Sequence, residues 1–279
     1  MSAGWRGPRA GAVQALRAEW TKLRSVPASG WAAVATVGLT VLLSAFVCGS
    51  VSTRGGDPAH PGDEDVVMLS LSGVYLSQIA VVALAVTAVT SEYASGMIRV
   101  SFLANPRRRV VLAAKAAVVG AAVLAAGLVA SLLSFSAGQP ILAGNGFTAA
   151  NGYPPTSLAD PAALRAVAGS AVYLALLALL SVGAGAVLRH AAGAITTVLG
   201  LLFVPLVALS FLPERLWEPV QRFAPMTAGL AVQSTAGSLE LIAGRSARPV
   251  GPWAGLGILA AWAAAALLLA FALVERRDA

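Results

Sequence analysis

An all-α protein that crosses a membrane six times, with an interfacial helix before the first span, is the fold predicted here. Three observations lead to it. The 279 residues are 58% hydrophobic and only 11% charged, where soluble domains carry about 25% charged residues. Mean hydropathy is +0.79. Apolar segments long enough to cross about 30 Å of hydrocarbon recur along the chain, near 29–50, 67–90, 110–136, 163–188, 192–212 and 253–274. The net charge of +7 belongs with loop bases beside a membrane and does not imply nucleic-acid binding.

Residues 1–28 form a cytoplasmic amino-terminal region. Within it, Val13, Leu16, Trp20 and Leu23 recur at helical spacing, with Arg17, Lys22 and Arg24 off that face. A short basic amphipathic helix carrying a Trp is expected to lie on the membrane surface. Pro27 separates it from the first span, because proline breaks a continuous helix. The single Cys48 ends that span; it cannot form an internal disulfide and reads as a buried thiol.

Residues 51–67 hold Asp57, Asp63, Glu64 and Asp65 against Arg54, with prolines and glycines between them. This is an acidic outer loop. The second span carries Gln78 near its middle. A buried amide in lipid needs a partner, so Gln78 either bonds a neighbouring helix or lines a translocation path.

Between the second and third spans runs TSEYASGMIRVSFLANPRRRVVLAAK, residues 90–115. Gly96 offers a hinge. Asn105 and Pro106 read as the N-cap and first position of the third helix, which places Arg107, Arg108 and Arg109 in its first turn. Cations at a helix N-terminus are unfavourable by about 0.3–1 kcal/mol each. A favourable partner outside the helix is therefore expected, either anionic lipid or another protein. Glu92 is the one acid of the stretch. It is read as pairing with a partner's base, as tying the loop down through Arg99, or as a solvated carboxylate.

Residues 137–161 read as an outer Gly/Pro/Asn loop, and Arg189-His190 as a tight cytoplasmic hairpin between spans four and five. Residues 213–251 form the longest loop. Its weakly apolar run, 226–243, reads equally as short re-entrant or surface helices or as plain loop. Residues 275–279 are a cytoplasmic tail. On this topology thirteen of the nineteen Lys and Arg residues fall inside, which fixes both termini in the cytoplasm.

The chain has no G-x-x-x-x-G-K-[ST] phosphate loop, no H-E-x-x-H and no G-x-S-x-G elbow. Its two His residues fall on opposite sides of the membrane, so no metal site is expected. No Asp or Glu lies within the spans as drawn, which weighs against an ion-coupled carrier. A non-catalytic membrane subunit is expected.

Glu92 and Gly96 after one span, a hydrophobic turn over Met97–Leu103, Pro106-Arg107, and Lys115 opening the next span together resemble the first cytoplasmic loop of ABC type-2 exporter permeases. The segment Ala18–Ser25, with Glu19, Trp20, Lys22 and Leu23, resembles that family's interfacial helix. The resemblance implies a bacterial plasma-membrane permease that forms its path as a homodimer or heterodimer. It implies a cytoplasmic coupling helix between the second and third spans, and a separate P-loop ATPase subunit that binds ATP and Mg and couples through residues 91–105. Glu92, Gly96, Arg99, Pro106, Arg107 and Lys115 would be the coupling residues. It names no substrate. A secondary transporter or channel, and a non-transport scaffold, are the alternatives.

Overall fold

The computed structural model describes residues 8–25, 27–53, 64–97, 107–209, 211, 213, 216–235 and 250–276. Most of those residues are helical, with no strand among them. Among the described residues six helices are long and apolar enough to cross a membrane, so the protein is a polytopic all-α membrane protein. Helix α1 (Pro8–Ser25) precedes the first span, α2 (Pro27–Ser50). The other spans are α4 (Val74–Ala94), α5 (Arg108–Gly144), α6 (Pro161–Leu188), α7 (Ala191–Ala208) and α10 (Pro252–Arg276).

The second apolar segment is divided. A short helix, α3 (Val66–Ser70), is capped by Asp65, whose carboxylate accepts from the amides of Val67 and Met68. The chain then turns over residues 71–73 before α4 begins. Gly73 explains the break. Its amide donates to Ser44 Oγ of α2, and a Cβ there would stand 1.9 Å from the Thr40 carbonyl oxygen. The backbone is pressed against α2 at that point, so the span starts at residue 74 rather than 67.

The third span runs eight residues past its expected end. Ala137-Gly138-Gln139-Pro140 reads as a break in sequence, yet α5 continues through it to Gly144. Gly138 lies directly on Ser70, and Gln139 Nε2 donates to Ser70 Oγ at 3.0 Å. Tertiary contact with α3 overrides local propensity here. At about 1.5 Å per residue, α5 is roughly 55 Å long and projects beyond any bilayer core.

Helix α6 is central. Tyr173, Leu174, Leu177 and Ala178 are fully buried on it, packed against α4, α7 and α10. The start of the longest loop is helical. Helices α8 (Trp217–Phe223) and α9 (Pro225–Leu230) lead into a 3-10 turn over Ala231–Gln233. Residues 225–234, apart from half-buried Thr227, are buried between α6 and α10, where Gly169 accommodates Val232 and Gly255 accommodates the Ala228 carbonyl. The described part of the 226–243 run is thus packed helix rather than plain loop. Large apolar side chains on α2 and α7, among them Trp31, Leu42, Phe46, Val204 and Val207, point outward, as a lipid-facing surface requires.

Candidate functional site

One end of the bundle gathers most of the charge. Helix α1 turns Val13, Leu16 and Trp20 outward, all more than a third exposed, and turns Glu19 inward at 6%. The apolar face of α1 is thus left exposed, whereas its charges find partners inside.

Those partners are Glu92 in the last turn of α4 and Lys115 in the second turn of α5. Lys115 Nζ donates to Glu19 Oε2 at 2.6 Å, to Glu92 Oε1 at 2.9 Å and to the Ala88 carbonyl at 3.2 Å. All three ammonium protons are used. Lys22 Nζ reaches Glu19 Oε1 at 2.8 Å and Glu92 Oε1 at 2.9 Å. Two carboxylates and two ammoniums therefore form an electroneutral ring of contacts linking α1, α4 and α5. Glu19, Glu92 and Lys115 are each no more than 7% exposed. Charges at this depth survive only when paired and hydrogen-bonded. Glu92 Oε2 is the exception, buried without a hydrogen-bond partner.

Lys22 is the most accessible member. Burial disfavours its ammonium, but hydrogen bonds and charge from Glu19 and Glu92 prevail, and its pKa lies above the ordinary lysine value. A raised lysine pKa stabilises the fold fully at neutral pH. That contribution disappears only as alkali carries the pH through the raised value.

The neighbouring helix ends are tied as well. Arg108 Nη1 donates to the Val274 carbonyl at 3.3 Å, and Arg109 pairs with Glu275. The arginines at the start of α5 thus find the carbonyl end of α10, the negative pole of that helix, within the chain itself. Arg189, held in the left-handed region at φ 55°, lies 5.0 Å over the Tyr93 ring. His190 then caps α7 by accepting from the Gly193 amide.

Several sequence-based expectations change. Glu92 is not solvated: it is buried in the last turn of α4, which continues to Ala94. The argument from absent intramembrane carboxylates loses its force with that finding. Helix α5 opens at Arg108, with Arg107 as a non-helical N-cap at ψ 78°, and not at Asn105-Pro106. Arg99 and Pro106 lie outside the described residues, as do residues 98–105 of the expected coupling stretch, whose residues 91–94 are the end of α4. Gly96 follows α4 in a left-handed turn at φ +71° with open space around its α-carbon. Leu23 is half-buried beside Lys22.

Gln78 lies apart from this cluster. It is fully buried; Tyr173 Oη donates to its Oε1, and its Nε2 points to Met226 Sδ at 3.5 Å. The amide ties α4, α6 and α9 together. At the opposite end Asp65 accepts from the Thr235 amide and hydroxyl, and Arg165 donates to the Ser234 carbonyl. An acid directly before the Val66 apolar run is an N-cap signal; its second partner, 170 residues away, leaves no local trace.

The chain matches no protein-family model and no curated protein.

Proposed function

We propose that this chain is the membrane-spanning permease subunit of an ATP-driven exporter of the ABC type-2 class, coupled to a separate ATPase chain through residues 91–105. The observation that supports this best is the meeting of Glu92 and Lys115, 23 residues apart. These two residues bracket the stretch that resembles the family's coupling loop. Through Glu19 and Lys22 the same cluster engages α1, the segment that resembles the family's interfacial helix. A loop that leaves and returns to one charge-locked point on three helices can pass displacement into all of them. In this reading the charged end faces the bacterial cytoplasm, both termini lie there, and two permease chains enclose the path. ATP and Mg belong to the partner.

The test is affinity capture of the full chain from its native membranes. A co-purifying P-loop ATPase supports the reading, and reproducible capture without one overturns it. Orientation is checked separately by single cysteines in a Cys48→Ala background. Substitutions at Ser52 and Asp160 should label with impermeant reagents from outside, and those at Arg108 and Arg276 should not. Labelling of Arg108→Cys from outside would reverse the topology.

Gly96 gives the cleanest functional variant. A side chain in the left-handed region costs about 1–2 kcal/mol, and more when β-branched, and no neighbour is close enough to clash. Gly96→Val should preserve expression and helix packing while sharply lowering efflux; Gly96→Asn, which tolerates this backbone, should retain it. Equal efflux by both variants would remove the loop from the mechanism. Glu92→Ala is a poorer probe, because it also opens the buried cluster.

A buried carboxylate within α4 also favours a second reading, an ion-coupled carrier. Efflux that follows an imposed proton gradient, without ATP or a partner ATPase, would select it.

A further inference from the structure

The charge cluster walls a cavity of about 480 Å³ between α1, α4 and α5. A second cavity of about 340 Å³ adjoins it, since Leu23 and Leu84 line both. The second is apolar along Ala33, Val81, Ala122, Val123 and Ala126, and exposed Arg24 is its one charged lining residue among those described. Together they make an amphipathic groove. Along α5 it runs from Lys115 to Ala126, which is about 17 Å at the helical rise. One leaflet of a bilayer has a hydrocarbon depth of about 15 Å.

The charges indicate the polar end of an occupant. Glu19, Lys22, Glu92 and Lys115 cancel, so Arg24 leaves the groove with one excess positive charge. Glu92, whose buried Oε2 has no hydrogen-bond partner, is among the residues lining the first cavity, and its carboxylate can only accept. We propose that this groove binds one phospholipid. Its acyl chain lies against Ala122 and Ala126, its phosphate meets Arg24, and an N–H or O–H of its head group donates to Glu92. The inference needs only the membrane setting and holds whether or not the chain is an exporter subunit.

Native mass spectrometry of the delipidated full-length protein tests this with three added lipids. Phosphatidylethanolamine and phosphatidylglycerol carry a head-group donor; phosphatidylcholine carries none. The first two should bind as one copy per chain, about tenfold tighter than the third, the expected share of a hydrogen bond to a charged group. Arg24→Ala, at an exposed position, should weaken all three about fivefold. Ala122→Leu with Ala126→Leu fills the chain slot, leaves the cluster intact, and should abolish the single bound copy. Equal binding of phosphatidylcholine would overturn the proposal, as would unchanged retention by the filled variant or by Arg24→Ala. So would equally tight binding of chain-free glycerophosphoethanolamine. A filled variant that changes the oligomeric mass while keeping its lipid would assign the groove to a second copy of the chain instead.

Discussion

Lys115→Met should cost the fold about 3–5 kcal/mol, the loss expected when one partner leaves a buried ion pair. The reason is arithmetic within the cluster. Two carboxylates would remain against Lys22 alone, and Glu19 and Glu92 are at most 7% exposed. The melting temperature of the detergent-solubilised protein should fall by roughly 6–20 °C. The decisive control is Lys115→Met with Glu92→Leu, which removes one charge of each sign and leaves Glu19 with Lys22. Buried pairs replaced together by apolar groups are often neutral or stabilising, so the double variant should recover most of the loss. A single variant that melts like the wild type would show that the cluster carries no stability.

Gly73→Val is expected to have the next largest effect. A Cβ at residue 73 would lie 1.9 Å from the Thr40 carbonyl oxygen and 2.7 Å from Ser44 Oγ. The nearest obstacle is backbone, which cannot rotate aside as a side-chain tip can. Helix α2 must move away from the turn before α4, and the bond from the Gly73 amide to Ser44 is lost with it. Overpacking of this kind costs about 1–3 kcal/mol, and a lost buried hydrogen bond adds about 1 kcal/mol. Thermal melting reads the sum. Gly257→Val, at a helical glycine with open space around it, is the matched control and should change the melting temperature far less. Equal stability of Gly73→Val and wild type would mean that α2 and α4 are not in contact there.

Much of the fold is legible in the sequence because hydrocarbon thickness imposes a length on apolar segments. Six segments of that length are easily seen, and Pro27 marks the boundary between α1 and α2. The boundaries that differ are those decided by contact with another helix. The stretch at Gly73 looks continuous until α2 is laid against it, and Gly138-Gln139-Pro140 looks like an ending until Ser70 is placed beside it. The site divides similarly. Glu92 and Lys115 stand out because acids and lysines are rare among these apolar residues. Their pairing is not visible, since 23 residues of chain separate them. Glu19 and Lys22 show their spacing on one helix turn, but hydrophobic periodicity points to the opposite face of α1. That periodicity marks the apolar side without saying whether lipid or protein covers it.

The four-charge cluster also imposes an order on how the chain is made. Glu19 and Lys22 are synthesised first and already balance one another. Glu92 arrives with the second span, 70 residues after Lys22, and brings a carboxylate with no new cation. Its counter-charge, Lys115, follows 23 residues later, a gap of about one to five seconds at 5–20 residues per second. Throughout that interval Lys22 is the one lysine of the cluster present to pair Glu19 and Glu92. The third span delivers Lys115, so the ring of charges linking α1, α4 and α5 is complete only once α5 is in place.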